Sequence, residues 1–145
     1  MIGLLQRVTQ ASVFINSELV ASIDTGLLVL IGIEKHDSEK NAERLFKKLI
    51  AYRVFADNDD KMNLSLRDIK GDLLLVPQFT LPADTQKGLR PGFSNAASPE
   101  SGKKLFNYFT NYAREHYSTV KTGVFGADMQ VSLVNNGPVT FWLQQ

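Results

Sequence analysis

Reactive side chains are scarce in this chain, and that narrows its chemistry. There is no cysteine, which removes disulfides, thiolate nucleophiles and cysteine–zinc sites together. The two histidines are His36 and His116. His36 falls in a polar stretch ahead of an amphipathic segment. His116 falls near the end of another, where a positive charge suits a helix dipole. Neither lies near a nucleophile in any motif and no Gly-x-Ser-x-Gly occurs, so a Ser-His-Asp triad is not expected. Asp57-Asn58-Asp59-Asp60-Lys61 has the acids of a calcium loop, but Lys61 occupies a ligand position and Met62 stands where the loop needs glycine. It reads as a solvated loop, and no metal is expected. Phosphate-cradling and dinucleotide fingerprints are absent, so no cofactor is expected either.

Two segments remain that could do chemistry. The first is Pro77-Gln78-Phe79-Thr80-Leu81-Pro82-Ala83-Asp84. Polar residues at the end of a buried strand can present side chains and unpaired backbone N–H groups to a ligand. The segment is equally readable as a strand ending in a turn. Thr80 has a nucleophile's hydroxyl, but no base is apparent beside it. The second segment is Met129 to Trp142, centred on Asn135-Asn136-Gly137-Pro138. It reads as a hairpin, with Gly137 supplying positive φ and Pro138 opening the next strand. A proline here could also be cis, which would aim neighbouring carbonyls in an unusual direction.

The elements that must position these segments follow from apolar periodicity. Residues 1–9 and 11–16 read as two strands and Leu19 to Ile23 as a third. Leu27 to Ile33 is almost wholly apolar, as in a strand buried on both faces. Ser38 caps an amphipathic helix over about 39–51, with Ala42, Leu45, Phe46, Leu49 and Ile50 at helical spacing. Arg53-Val54-Phe55 reads as a short strand, and 57–63 as a polar loop. Asp72 to Leu81 reads as a second buried strand, and 82–97 as a long Gly/Pro-rich loop of the kind that often carries function. Ser98-Pro99-Glu100 starts a second helix, whose buried stripe is Leu105, Phe106, Phe109, Tyr112 and Ala113. Strands near 120–125, 128–134 and 139–143 close the chain. The expected fold class is mixed α/β: largely antiparallel sheets layered with two main helices, in one domain over 1–145.

Charge and hydropathy bound the partners. Charged residues make up 21% and the formal net charge is +1, without the basic stripe that grips a long nucleic acid. Any RNA is therefore read over a small part, and DNA is not an expected partner. No apolar run approaches the ~20 residues of a membrane span, and the start lacks a signal peptide's order. A soluble, cytoplasmic protein with no membrane partner is expected.

Along nearly its whole length the chain resembles the D-aminoacyl-tRNA deacylases. The ordered matches are Gln6-Arg7-Val8, Gly26 to Glu34, Tyr52-Arg53-Val54-Phe55, Lys61-Met62-Asn63-Leu64, Gln78-Phe79-Thr80-Leu81, Arg90-Pro91, Phe93-Ser94, Ala97-Ser98-Pro99, Gly123 to Met129, and Asn136-Gly137-Pro138-Val139-Thr140. The resemblance implies a homodimer that hydrolyses the ester between a D-amino acid and the 3′-terminal adenosine of tRNA, and that also removes glycine mischarged onto tRNA for alanine. It implies that Gly137-Pro138, as a cis peptide of one subunit, enters the other subunit's site and crowds out L side chains. Gln78, Phe79 and Thr80 would line that catalytic pocket, with Phe125 and Met129 near the terminal adenine. Arg7 is a candidate to hold the motif by bonding a carbonyl. The family commonly has serine where this chain has Pro77, which offers neither hydroxyl nor N–H.

An aminoacyl ester is already activated, so the expected mechanism is direct attack by water. Backbone N–H groups around Phe79 and Thr80 would stabilise the oxyanion, and the terminal ribose 2′-hydroxyl would help place the water. Two alternatives stand beside it. One is a threonine-nucleophile esterase using Thr80; the other is a non-catalytic binder of the tRNA 3′ end.

Overall fold

The computed structural model describes residues 1–145. Eight strands and three helices follow in chain order. They are β1 (Ile2–Ile15), β2 (Glu18–Ile23), β3 (Gly26–Gly32), α1 (Glu39–Ala51), β4 (Phe55–Ala56), β5 (Met62–Leu64), α2 (Leu66–Ile69), β6 (Asp72–Pro77), α3 (Pro99–His116), β7 (Val120–Thr122) and β8 (Gln130–Gln144). The class is mixed α/β, as the periodicity predicts.

The main sheet runs β2-β1-β3-β6-β7, with β8 added along the other side of β1. β1 pairs antiparallel with β2, β3 and β8, whereas β3, β6 and β7 lie parallel to one another. Parallel strands bury both faces. Accordingly Leu27, Val29 and Ile31 of β3 and Leu73 and Leu75 of β6 join the core under the helices. Their neighbours Leu28, Leu74 and Val76 face a second core with Val8, Val13, Ala21 and Ile23. The helices enter the first core through Leu45, Phe46 and Leu49 of α1 and Phe106 and Phe109 of α3. Fully burying one such side chain contributes roughly 1.5–3 kcal/mol.

Several expectations need correction. The start of the chain is one strand, not two: nothing between residues 9 and 11 turns the backbone, and β1 keeps pairing with β8 through register shifts between Gln6 and Gln10. β6 stops at Pro77 rather than Leu81, because Phe79 to Pro82 form a turn. The strand placed at 53–55 is Phe55–Ala56, paired with the unpredicted β5. The strand placed near 120–125 is only Val120–Thr122.

The largest correction concerns the hairpin at 135–137. There is none; Gln130 to Gln144 is a single strand. Both halves pair with β1, Val8 opposite Asn135 and Gln6 opposite Thr140. Residues Asn136 to Val139 therefore stand against Arg7 alone, and the chain bulges outward there. Asn135-Asn136-Gly137 interrupts the regular pairing instead of turning the chain back. It does not reverse the chain, because β1 is long enough to accept both flanks.

Candidate active site

A cavity of about 760 Å³ opens at the carboxyl ends of β6 and β7, against the first turn of α3. This is the end of a parallel sheet where α/β folds commonly place ligands. Four of the predicted site residues line it: Gln78, Phe79, Phe125 and Met129. Phe93, Ser98, Pro99 and Asp128 line it too; Ser98 and Pro99, expected only as the start of a helix, also wall the cavity.

One wall is the turn that follows β6. Pro77 is the last residue of the ladder, opposite Ile31. Gln78 then donates its N–H to the Ile31 carbonyl at 2.8 Å, while Leu81 and Ala83 donate back to Gln78 and Thr80 to close the turn. The N–H groups of Phe79 and Thr80 find no acceptor in the chain. Both residues are exposed, so these donors are available to a ligand. The Gln78 side-chain amide donates to the Thr80 hydroxyl at 2.6 Å, which fixes one side chain against the other. The Phe79 ring is 65% exposed and leans on Phe93, with centroids 5.6 Å apart.

The opposite wall is the loop from Gly123 to Met129. Phe125 packs on Phe106 of α3 with ring centroids 6.1 Å apart. A Cβ at position 102 would lie 3.1 Å from its ring, so Gly102 lets the helix approach closely. The Met129 sulfur accepts the Val124 N–H at 3.3 Å, and a Cβ at position 123 would meet that sulfur at 2.9 Å. Gly102 and Gly123 are thus part of the site's construction. Their only signal in the sequence is a glycine beside a helix start and another just after a strand.

The other predicted residues lie elsewhere. Gly137 and Pro138 are exposed on the β8 bulge, joined by a cis peptide, and neither lines the cavity of its own chain. Arg7 braces the bulge. Its Nε donates to the Asn136 carbonyl at 2.7 Å, and its Nη1 to the Val54 carbonyl at 2.5 Å. Asn135 adds a second brace: its side-chain oxygen accepts the Val139 N–H at 2.8 Å, and its amide donates to Gln6, Val139 and Thr140. Val54 is itself tied down, since its N–H donates to the Leu64 carbonyl. Nearby, the Asp57 carboxyl is held below its usual range by the Asn63 amide and the Lys61 and Asp59 N–H groups, and it organises the β4–β5 loop.

Chemically, this is a site of backbone donors and aromatic walls. No histidine lines the cavity. Phe125, Met129 and Phe93 offer flat apolar surface suited to a planar ring, and the Phe79–Thr80 turn offers paired N–H donors suited to an oxyanion.

Comparison with known proteins agrees over the whole chain. A D-aminoacyl-tRNA deacylase of Cellvibrio japonicus (strain Ueda107) is 54% identical over 144 residues, 99% of each chain. One from Janthinobacterium sp. (strain Marseille) is 56% identical over 144 residues, 99% of this chain and 97% of that protein. A solved structure described as a c-Myc DNA unwinding element binding protein superposes with a TM-score of 0.96 at 38% identity, covering 100% of this chain and 99% of the other. A probable eukaryotic D-amino acid tRNA deacylase shares the fold, with a TM-score of 0.85 at 19% identity. The family described as D-Tyr-tRNA(Tyr) deacylase matches residues 4–144, and the chain belongs to it.

Proposed function

We propose that the chain hydrolyses the ester between a D-amino acid and the 3′-terminal adenosine of tRNA, releasing free amino acid and tRNA. The observation that carries this reading is the pair of unpaired N–H groups at Phe79 and Thr80, beside a cavity walled by Phe125 and Met129. The aromatic wall suits the terminal adenine. The two donors suit the oxyanion that forms when water attacks the ester carbonyl, a contribution of roughly 2.7–4 kcal/mol per donor in comparable sites. The ribose 2′-hydroxyl of the substrate helps place that water. No acyl-enzyme is needed: the Thr80 hydroxyl already accepts a hydrogen bond from Gln78, and no histidine stands in the cavity to take its proton.

Chirality is read by exclusion. The Gly137-Pro138 bulge occupies the space where an L side chain would point, so D-amino acids pass. Glycine has no side chain to exclude, and glycine mischarged onto tRNA for alanine is cleaved as well. This requires a homodimer, because the bulge lies outside the cavity of its own chain. Two features favour one. The outer edge of β8 has no strand partner, and Val134 and Trp142 on that strand are 47% and 51% exposed. A symmetric pair covers this edge and brings each bulge to the other subunit's cavity. The protein works in the cytoplasm, where its tRNA substrates are; no helix is long and apolar enough to cross a membrane.

The deciding experiment is a deacylation assay with D-tyrosyl-tRNA and L-tyrosyl-tRNA. The reading requires turnover of the D ester and sparing of the L ester. Tight binding of the tRNA end without turnover of either would make the protein a binder instead.

A further inference from the structure

A second large cleft, of about 660 Å³, lies on the other side of the start of α3. Ala97 lines both cavities. The ridge between them is the strand-like segment at 95–97, tied to the exit of β3 by Lys35 N–H to the Asn95 carbonyl and Ala97 N–H to the Ile33 carbonyl, both at 3.0 Å. The cleft's walls are the first turn of α1 and the α3 face carrying Ser101, Lys104 and Tyr108.

Its charge is the informative feature. Lys35, Lys40 and Lys104 all line it, and all are exposed. None has a carboxylate within salt-bridge distance; the lysine salt bridge in this chain is Lys47 with Glu43. The acids of the cleft are differently placed. Asp37 accepts the Glu34 N–H and contacts the Met1 amino group, and Glu34 accepts the Gln144 amide at 2.9 Å and the same amino group at 3.0 Å. Burial pushes the Glu34 carboxyl up, but these hydrogen bonds and the amino group's charge outweigh it and hold it low. Glu39, in the first turn of α1, is the acid left facing the cleft without such partners. Three unpaired ammonium groups around one concavity suit an anion with several oxygens.

We infer that this cleft takes backbone phosphates of the single-stranded segment that precedes the terminal adenosine. The inference rests on the proposed deacylase reading for its choice of anion. A strand whose last base sits against Phe125 and Met129 needs only to cross the Asn95–Ala97 ridge to bring its preceding phosphates among the lysines. The arrangement also accounts for a tRNA-acting chain with a net charge of only +1: the required positive charge is local, and few phosphates are held.

The test compares a Lys40→Glu/Lys104→Glu variant with a Lys61→Glu/Lys70→Glu control that changes net charge equally. Two substrates are used, full-length D-tyrosyl-tRNA and the minimal ester D-tyrosyl-adenosine, which has no phosphate. The expected result is a loss of about tenfold or more in kcat/KM on the tRNA, with the minimal ester cleaved as before. The salt slope for binding uncharged tRNA should become shallower by about 1.4, from ~0.7 for each single-strand phosphate contact. The control should change neither. Equal losses on both substrates, or an unchanged salt slope, overturn the inference. If the unaltered protein cleaves neither ester, the deacylase reading falls, and the salt slope of tRNA binding alone then decides the cleft.

Discussion

The Phe79–Thr80 turn and the β8 bulge contrast in how they are held. The turn presents N–H groups without acceptors and an exposed aromatic ring, and it borders a cavity. The bulge is braced through Arg7 and Asn135 to β1, to Val54 and to its own flanks, yet Gly137 and Pro138 border no cavity in their own chain. One region has unused binding capacity; the other has rigidity without anything in its own chain to act upon. Rigidity of that kind is useful where a backbone must keep its place against a ligand. The contrast is explained if the two regions meet across a subunit interface.

The strongest way to break this explanation is to separate the subunits. Val134→Asp with Trp142→Asp puts charges on exposed apolar positions of β8. The variant should be monomeric by light scattering and should lose at least ~100-fold in discrimination between D- and L-tyrosyl-tRNA, because each site would lack its partner's bulge. A monomer that still spares the L ester ends the account.

Gly137→Ala is the next largest effect. A Cβ there would lie 2.4 Å from the Val139 nitrogen and 2.6 Å from its Cγ2, and the nitrogen is backbone that cannot move aside cheaply. Crowding of this sort costs about 1–3 kcal/mol. The bulge should deform, cutting discrimination between D- and L-tyrosyl-tRNA by roughly tenfold for each 1.4 kcal/mol of misfit that reaches the site. Circular dichroism should show the fold retained, since the bulge is exposed.

The contrast also shows where a sequence is informative. β3, α1 and α3 are legible because a run such as Leu27 to Ile31, or Leu45 with Leu49, has no second way to bury itself. Asn135-Asn136-Gly137 is not legible in the same way. Its residue types specify a local departure from extended pairing, but whether the chain reverses depends on β1, more than a hundred residues away. The four residues of α2 and three of β5 are too short for periodicity to register. In the site, Gln78, Phe79 and Thr80 are legible as a polar strand end able to present donors, and only the resemblance assigns them a reaction. The groups proposed to act there are backbone N–H groups, which every residue but proline has. Gly102 and Gly123 leave a signal only once the ring and the sulfur above them are located.

Arg7→Ala tests the bracing itself. It removes both guanidinium hydrogen bonds, to the Asn136 and Val54 carbonyls, and hydrogen bonds to charged groups are worth about 1.5–3 kcal/mol. The bulge should become mobile, so discrimination between D- and L-tyrosyl-tRNA should narrow more than the turnover of the D ester falls. Arg7→Lys should not restore it, because a single ammonium cannot reach two carbonyls with the guanidinium's fixed fork. An unchanged D/L ratio in both variants would mean that the bulge holds its shape without Arg7.

Thr80→Ala should give the smallest effect, and its smallness is the point. The substitution removes a hydroxyl that accepts the Gln78 amide, but leaves the Phe79 and Thr80 N–H groups where the turn sets them. The turn is closed by backbone bonds from Leu81 and Ala83, which alanine does not disturb. If those N–H groups stabilise the transition state, kcat should fall only a few-fold, on the order of the ~1 kcal/mol expected for one lost neutral hydrogen bond near the site. If Thr80 were the nucleophile, kcat would collapse while substrate binding stayed intact, and a covalent acyl-enzyme would accumulate in the unaltered protein. Mass spectrometry of the protein quenched during turnover reads the second signature directly. An acyl adduct on the peptide containing Thr80 would move the chemistry from the backbone to the side chain, and would leave the turn's unpaired N–H groups as the oxyanion site of an acyl-enzyme instead.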